Sequence, residues 1–291
     1  MTEFFFGPAP IITIQEFFGR VWPTPFHIAS LLGDTWGVLL VFGIAFWLWG
    51  RQSAYPLAGI ILVEAATNLA INQLIHLPRP DATGIVKYVH VPMGSFPSGH
   101  VYTATVLWGF LYATGRVPLA VPILVSIAVG LGRLYLGTHF VGDVLGGAAF
   151  GVMLVFIFVR VWPRVHTWLS HRSDSFFKHA AALGFVAGIG STFFLGRNAR
   201  AWEAAGVLAA AAIGLLLEWR RVRYDPIARS PRRPLQIVAM GVAGIAASLL
   251  VDRFVIGNRA LALGAVLAGI ATLWTVLVFP ALLSRSQATE Q

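Results

Sequence analysis

The chain contains no cysteine. That excludes disulfides, thiolate metal ligands and a cysteine nucleophile, and it leaves the redox compartment unread. Charge is scarce as well, with Asp, Glu, Lys and Arg making up only 11% of 291 residues. A soluble domain carries about a quarter charged residues, so a water-soluble globular fold is excluded. The N-terminus shows no basic stretch leading to a small-residue cleavage site, and no cleavable leader is expected. Strict two-residue alternation is missing from the apolar stretches, which excludes a membrane β-barrel.

Apolar residues fill the space these absences leave. Hydrophobic types make up 57% of the chain and the mean hydropathy is +0.75. Continuous apolar runs, each near the ~20 residues that cross a bilayer as a helix, predict an all-α polytopic membrane protein. We expect nine spans, near 28–50, 55–76, 99–115, 118–136, 140–162, 178–196, 201–218, 235–255 and 259–281. The third and fourth are joined by only Gly115-Arg116-Val117-Pro118, so they should be antiparallel neighbours. Residues 1–27 are broken by Pro8, Pro10, Pro23 and Pro25. Within them, Phe17, Phe18, Val21 and Trp22 beside Gln15, Glu16 and Arg20 predict an amphipathic helix in the membrane interface.

The formal net charge of +9 invites a nucleic-acid partner. The basic residues instead sit in short loops between spans, the pattern that orients membrane proteins, and no nucleic-acid partner is expected. The loops carrying Arg51, Arg116, Arg160, Arg164, Arg172, Lys178, Arg220, Arg221, Arg223, Arg229, Arg232, Arg233 and Arg285 are the richer side, which predicts that they are cytoplasmic. The N-terminus then lies outside and the C-terminus inside. The 219–234 loop is expected to contact anionic headgroups.

This parity brings chemistry to one face. Arg79 follows the second span, His100 starts the third, Arg133 ends the fourth and His139 starts the fifth. Two arginines can grip phosphate bidentately and stay charged at any working pH. Ser98 and Gly99 stand where a helix begins, and unpaired N–H groups there bind anions. His139 precedes Asp143 by one helical turn, so a carboxylate can orient the imidazole as a nucleophile. His100 is placed to act as general acid to a leaving alcohol, and a phosphohistidine then completes the cycle.

Arg79-Pro80, then Pro97-Ser98-Gly99-His100, then Arg133 followed by His139 and Asp143 resemble the motifs of the type 2 phosphatidic acid phosphatase (PAP2) superfamily. The superfamily includes membrane lipid phosphatases, glucose-6-phosphatase and vanadium haloperoxidases. The resemblance implies His139 as nucleophile, Asp143 as its partner and His100 as general acid. It implies Arg79, Arg133, Ser98 and Gly99 as phosphate ligands, with no metal and no cofactor. It covers about residues 28–196, as a catalytic core preceded by the 1–27 segment and followed by three further helices in 197–291. Nine spans with an outward N-terminus are similar to the glucose-6-phosphatase layout. Two positions depart from the pattern. Asn72 stands where the family has Lys, and Gly132 where it usually has Ser. Asn72 can still donate a hydrogen bond, and Lys87 is expected to supply part of the lost charge.

Other polar residues carry weaker expectations. Glu64, Asn68 and Asn72 form one stripe on span two and Asp34 lies in span one, each as compatible with interhelical bonding as with function. His27, His76, His90, His166, His171 and His179 are expected to be interfacial or solvated, with His90 lying in the outer loop near the site. Gly142, Gly146, Gly147 and Gly151 suit close helix packing. The last three spans carry no charged constellation and can support the core or self-association. Together these features predict an integral membrane phosphatase acting on a lipid phosphate or diphosphate at the extracytoplasmic face. Phosphotransfer to a lipid or glycan acceptor, sugar-phosphate hydrolysis and a non-catalytic lipid-binding transporter are the alternatives.

Overall fold

The computed structural model describes residues 2–89, 91, 94–194, 199–226, 234–251 and 261–288. Among them the chain is all-helical, with thirteen α-helices and no strand. These are α1 Thr2–Phe6, α2 Ala9–Phe17, α3 Pro23–Leu31, α4 Thr35–Trp49, α5 Arg51–Ile75, α6 Gly99–Ala113, α7 Ala120–Tyr135, α8 Val141–Ser170, α9 Asp174–Phe194, α10 Ala199–Leu217, α11 Pro234–Val251, α12 Leu261–Leu273 and α13 Phe279–Ala288. Two single π-helical stretches, Glu218–Val222 and Trp274–Val278, continue α10 and α12.

A helix coincides with each of the nine expected spans, the first being shared by α3 and α4. Length and composition set a stricter standard. Among the described residues four helical stretches are long and apolar enough to cross a membrane: Arg51–Ile75, Val141–Ser170, Trp202–Val222 and Ala262–Ser284. Pro23–Leu31 and Thr35–Trp49, bent by 47°, make a fifth if they count as one. α6 and α7 fall short, at 15 and 16 residues. At 1.5 Å per residue they are about 23 Å long, less than the ~30 Å hydrocarbon layer.

The chain divides into two compact units. The first comprises Met1–Val38 and Pro56–Arg164, the second Leu39–Tyr55 and Val165–Gln291. In the first, prolines start the short N-terminal helices, where a fixed φ costs nothing and the missing N–H is not needed. Just past the end of α6 Gly115 adopts φ +72°, and Arg116 N donates to Leu111 O at 2.8 Å across that turn. α6 and α7 therefore double back and pack on each other, as the short link requires. Val101, Ala104 and Val129 lie at the centre of that contact, surrounded by Leu32, Trp108, Val125, Val144 and Ala148.

α3 packs against α7 from another side. A Cβ on Gly132 would lie 2.9 Å from Phe26 O and 3.1 Å from Ser30 Oγ. The missing serine of the family pattern thus has a steric cause, since α3 occupies its place. Tyr135, wholly buried, stacks between Phe26 and Tyr88, and its hydroxyl donates to Gly19 O at 2.6 Å.

In the second unit α10 packs on α9 and α12. Trp47 Nε1 donates to Thr275 O at 3.0 Å and Tyr224 OH donates to Trp47 O at 2.8 Å. Buried Glu218 accepts from the Tyr55 hydroxyl and from Tyr224 N.

Candidate active site

Four segments of the first unit meet: the end of α5 with residues 77–79, the loop 94–98, the α7–α8 link and the start of α6. Each is held by hydrogen bonds to backbone distant in sequence. Ser95 N donates to Leu77 O at 2.8 Å, and Ser98 N donates to Asp143 O at 3.0 Å. Asn72 Nδ2 donates to Gly94 O at 2.9 Å and to Phe96 O at 3.2 Å. Arg79 Nη2 donates to Gly94 O at 3.0 Å, and its Nη1 donates to Thr138 O at 2.7 Å.

His139 stands in the α7–α8 link and is 2% exposed. Its Nδ1 lies 2.9 Å from Ser95 O. A carbonyl can only accept, so Nδ1 carries the proton and Nε2 presents its lone pair. Nε2 is 3.2 Å from Arg79 Nη1. The basic nitrogen therefore points at the guanidinium, where an anion would also be drawn. Burial pushes the imidazole down to about 4, the Asp143 carboxylate opposes this, and the charges of Arg133 and Arg79 add to it. The ring is neutral across the physiological range.

Asp143 holds the imidazole less directly than its spacing suggests. Oδ2 is 3.6 Å from His139 Nδ1 and accepts instead from Phe140 N at 2.8 Å. Oδ1 accepts from Ser95 Oγ at 3.2 Å. Asp143 is the third residue of α8, so its carboxylate caps the N–H of the residue before the helix while steadying the loop that holds His139. Ser95, not singled out from the sequence, is thus the principal partner of the ring. A backbone carbonyl leaves no residue-type signal.

Arg133 occupies the last turn of α7, where helix carbonyls favour a cation, and is 1% exposed. Ser98 is the residue before α6, yet its hydroxyl makes no capping bond. Ser98 Oγ is fully buried without a hydrogen-bond partner. A buried orphan hydroxyl costs about 1–3 kcal/mol, which an oxygen-rich ligand at this turn would offset. His100, half-buried, is the second residue of α6.

Two residues expected at the phosphate are engaged elsewhere. The Asn72 amide is spent on the 94–96 loop, so it braces the site through backbone. Lys87 pairs with Asp81 at 2.6 Å in the loop between α5 and α6. His90 lies outside the described residues, as do Arg229, Arg232 and Arg233 of the 219–234 loop. Gln15, read as the polar face of an interfacial helix, is buried. Its Nε2 donates to Val86 O and Tyr135 O, each at 2.7 Å, and its Oε1 accepts from Val86 N at 3.0 Å. Amphipathic spacing cannot tell water from buried backbone as the partner of an amide. Among the described residues no cluster of three or more His, Cys, Asp or Glu is placed to hold a metal ion.

The description "PAP2 superfamily" matches residues 53–167, and "PAP2 superfamily phosphatase, transmembrane extension" matches residues 202–291. The chain belongs to the PAP2 superfamily. All the site residues named above from Asn72 to Asp143 lie inside the first PAP2 match, and the extension together with the apolar helices makes this an integral membrane protein. Curated relatives include phosphatidylglycerophosphatase B of Bacillus subtilis, 33% identical over 101 residues, which are 31% of this chain and 48% of that protein. Decaprenylphosphoryl-5-phosphoribose phosphatase of Mycobacterium tuberculosis is 34% identical over 118 residues, 40% of this chain and 65% of that one. Undecaprenyl-diphosphatase BcrC of Bacillus subtilis is 28% identical over 126 residues, with coverage of 40% and 64%. The chain therefore spans about half to two thirds of the length of these PAP2 relatives. A solved transmembrane PAP2-type phosphatidylglycerolphosphate phosphatase from Bacillus subtilis is 22% identical, covers 54% of this chain and 86% of its own, and gives a TM-score of 0.43.

Proposed function

We propose that this PAP2 protein is a membrane phosphatase that hydrolyses a lipid phosphate or diphosphate through a phosphohistidine. The observation that carries the reading is the His139 ring, locked by the Ser95 carbonyl with its lone pair facing Arg79. Arg79 and Arg133 hold the phosphoryl oxygens together with Ser98 Oγ and the first N–H groups of α6, beginning at Gly99. His139 Nε2 forms a bond to phosphorus as the bond to the leaving oxygen breaks, and His100 gives that oxygen its proton. Water then attacks phosphorus, His100 takes a proton from it, and the N–P bond breaks to release inorganic phosphate and free His139. Asp143 serves through Ser95 and Phe140, keeping the ring in place. No step calls for a metal or a cofactor.

The named substrates of the relatives, phosphatidylglycerophosphate, decaprenylphosphoryl-5-phosphoribose and undecaprenyl diphosphate, support a lipid phosphate as the substrate class. A site at the membrane rim receives such a headgroup laterally. The basic-loop asymmetry supports nine crossings with the site and N-terminus outside and the C-terminus in the cytoplasm. Phe17, 80% exposed, with Val21 and Trp22, supports an apolar N-terminal face lying in the interface. The resemblance to the glucose-6-phosphatase layout rests on that span count, on the outward N-terminus and on motifs that begin at the end of the second span. The C-terminal helices after residue 196 support self-association at most. The test is phosphate release from lipid, isoprenoid and sugar phosphates by the purified protein, with His139→Ala as the blank. Release that needs an added acceptor alcohol identifies phosphotransfer, and no release above the blank defeats the reading.

A further inference from the structure

The polar stripe on α5 divides its work between the two halves of the site. Glu64, Asn68 and Asn72 follow at four-residue steps and so share one helix face. Asn72 holds the Gly94 and Phe96 carbonyls, on either side of the Ser95 carbonyl that locks His139. Asn68, one turn away, reaches the other half. A Cβ on Gly99 would lie 2.7 Å from Asn68 Nδ2, so this amide rests directly on the first residue of α6, next to His100. A side chain at Gly99 would push this amide aside. Behind it stands Glu64, 3% exposed, whose Oε1 accepts from Asn68 Nδ2 at 3.5 Å and which also bonds the Thr103 hydroxyl. Thr67 Oγ1 meets Tyr102 OH at 2.8 Å and ties α5 to α6 at the same level. Asn68 itself is only half-buried. An amide has two hydrogens and an acceptor oxygen, so one long bond to Glu64 leaves bonding capacity on the side of the site.

An in-line displacement places the leaving oxygen opposite His139, beside the acid His100. Atoms attached to that oxygen then come against Asn68. We infer that Asn68 is a specificity-determining residue whose amide hydrogen-bonds the part of the leaving group next to the scissile oxygen. The favoured substrates are phosphates leaving a glycerol, a sugar or a second phosphate, and phosphates of bare alkyl alcohols are disfavoured. Glu64 is a positioning residue for that amide. Against a bare alkyl chain the Asn68 amide loses water and gains no partner, which is how polar sites reject apolar analogues. This inference rests on the phosphatase reading above.

The experiment uses full-length protein in detergent micelles and measures kcat and KM for phosphate release from two substrates. One is short-chain phosphatidylglycerophosphate, the other dodecyl phosphate, with His139→Ala as the blank. Wild type should prefer the glycerol-headed substrate in kcat/KM. Asn68→Leu should cut that preference by about tenfold, the value of one neutral hydrogen bond, and Glu64→Leu should cut it less. Glu64→Gln still accepts from Asn68 and should retain the preference. Equal losses on both substrates, or no loss on either, would overturn the inference. If Asn68→Leu does not fold, Asn68→Asp preserves size and sets a negative charge against the anionic headgroup. It should then lower turnover of the glycerophosphate substrate more than that of dodecyl phosphate, and equal losses again overturn the inference. Wild type that hydrolyses both substrates equally defeats only the role of Asn68. Wild type that releases no phosphate above the blank defeats the phosphatase reading beneath it.

Discussion

The two units bury polar side chains in similar fashion but spend them differently. In the second unit, Ser248, Thr272 and Thr275 each donate to the carbonyl four residues earlier in their own helix, at 3.2, 2.7 and 2.8 Å. Glu218 accepts from Tyr55 and Tyr224 and closes the end of its π-helical turn. These groups are satisfied where they stand. In the first unit, as between Trp47 and Thr275 of the second, bonds join segments far apart in sequence, but here they leave a buried group without a partner. His139 and Ser95 are separated by 44 residues, Arg79 and Thr138 by 59, and Ser98 Oγ has no partner. Buried polarity alone therefore does not mark a site. A site is marked where distant segments hold one another in place and still leave a buried hydroxyl unspent.

Mutations can break that contrast from either side. The largest effect is expected at His139→Ala, which should lower kcat/KM by about ten-thousand-fold while the far-ultraviolet circular dichroism stays unchanged. Acidification comes next. The His139 ring is held down to about 4 against an ordinary 6.5, so between these values the unfolded chain binds a proton that the folded chain refuses. Stability present above pH 6.5 should decline as pH falls to 4, by on the order of 3 kcal/mol, in denaturant unfolding of wild type and not of His139→Ala. Imidazole NMR of the resting protein should show the His139 midpoint near 4, and a midpoint at 6.5 would refute the buried neutral ring.

Glu218→Ala and Ser98→Ala make an opposed pair. The first leaves the Tyr55 hydroxyl and Tyr224 N–H without their acceptor and should cost about 1–3 kcal/mol in thermal unfolding with kcat little changed. The second removes a buried hydroxyl that bonds nothing in the resting protein, so the melting temperature should hold or rise while kcat/KM drops about tenfold. The same outcome for both would dissolve the contrast between the units. The smallest effect is expected at Lys87→Ala. Its bond to Asp81 is a partly exposed surface pair, and kcat/KM should change less than about twofold.

Much of the site was legible in sequence because phosphate chemistry demands particular side chains. Two arginines, two histidines and an aspartate in order along the chain cannot be replaced by backbone. What was not legible is what backbone does. The Ser95 carbonyl sets the tautomer of His139, the Gly94 and Phe96 carbonyls absorb Asn72, and the Phe26 carbonyl fills the place of a side chain at Gly132. Gln15 was misread for the same reason. Its helix shows amphipathic spacing, but its partners are carbonyls of Val86 and Tyr135 rather than water.

By itself, the sequence determined that this chain is helical and membrane-embedded, since a composition so poor in charge can satisfy its backbone in lipid only within helices or a closed barrel, and the apolar runs do not alternate. It also named the side chains proposed to bind and attack a phosphate. The tertiary structure decided how they are used. Carbonyls alike in every residue acquire distinct roles only when the chain folds, and the fold turned the His139 lone pair toward Arg79, left the Ser98 hydroxyl unspent and set Asn68 against Gly99.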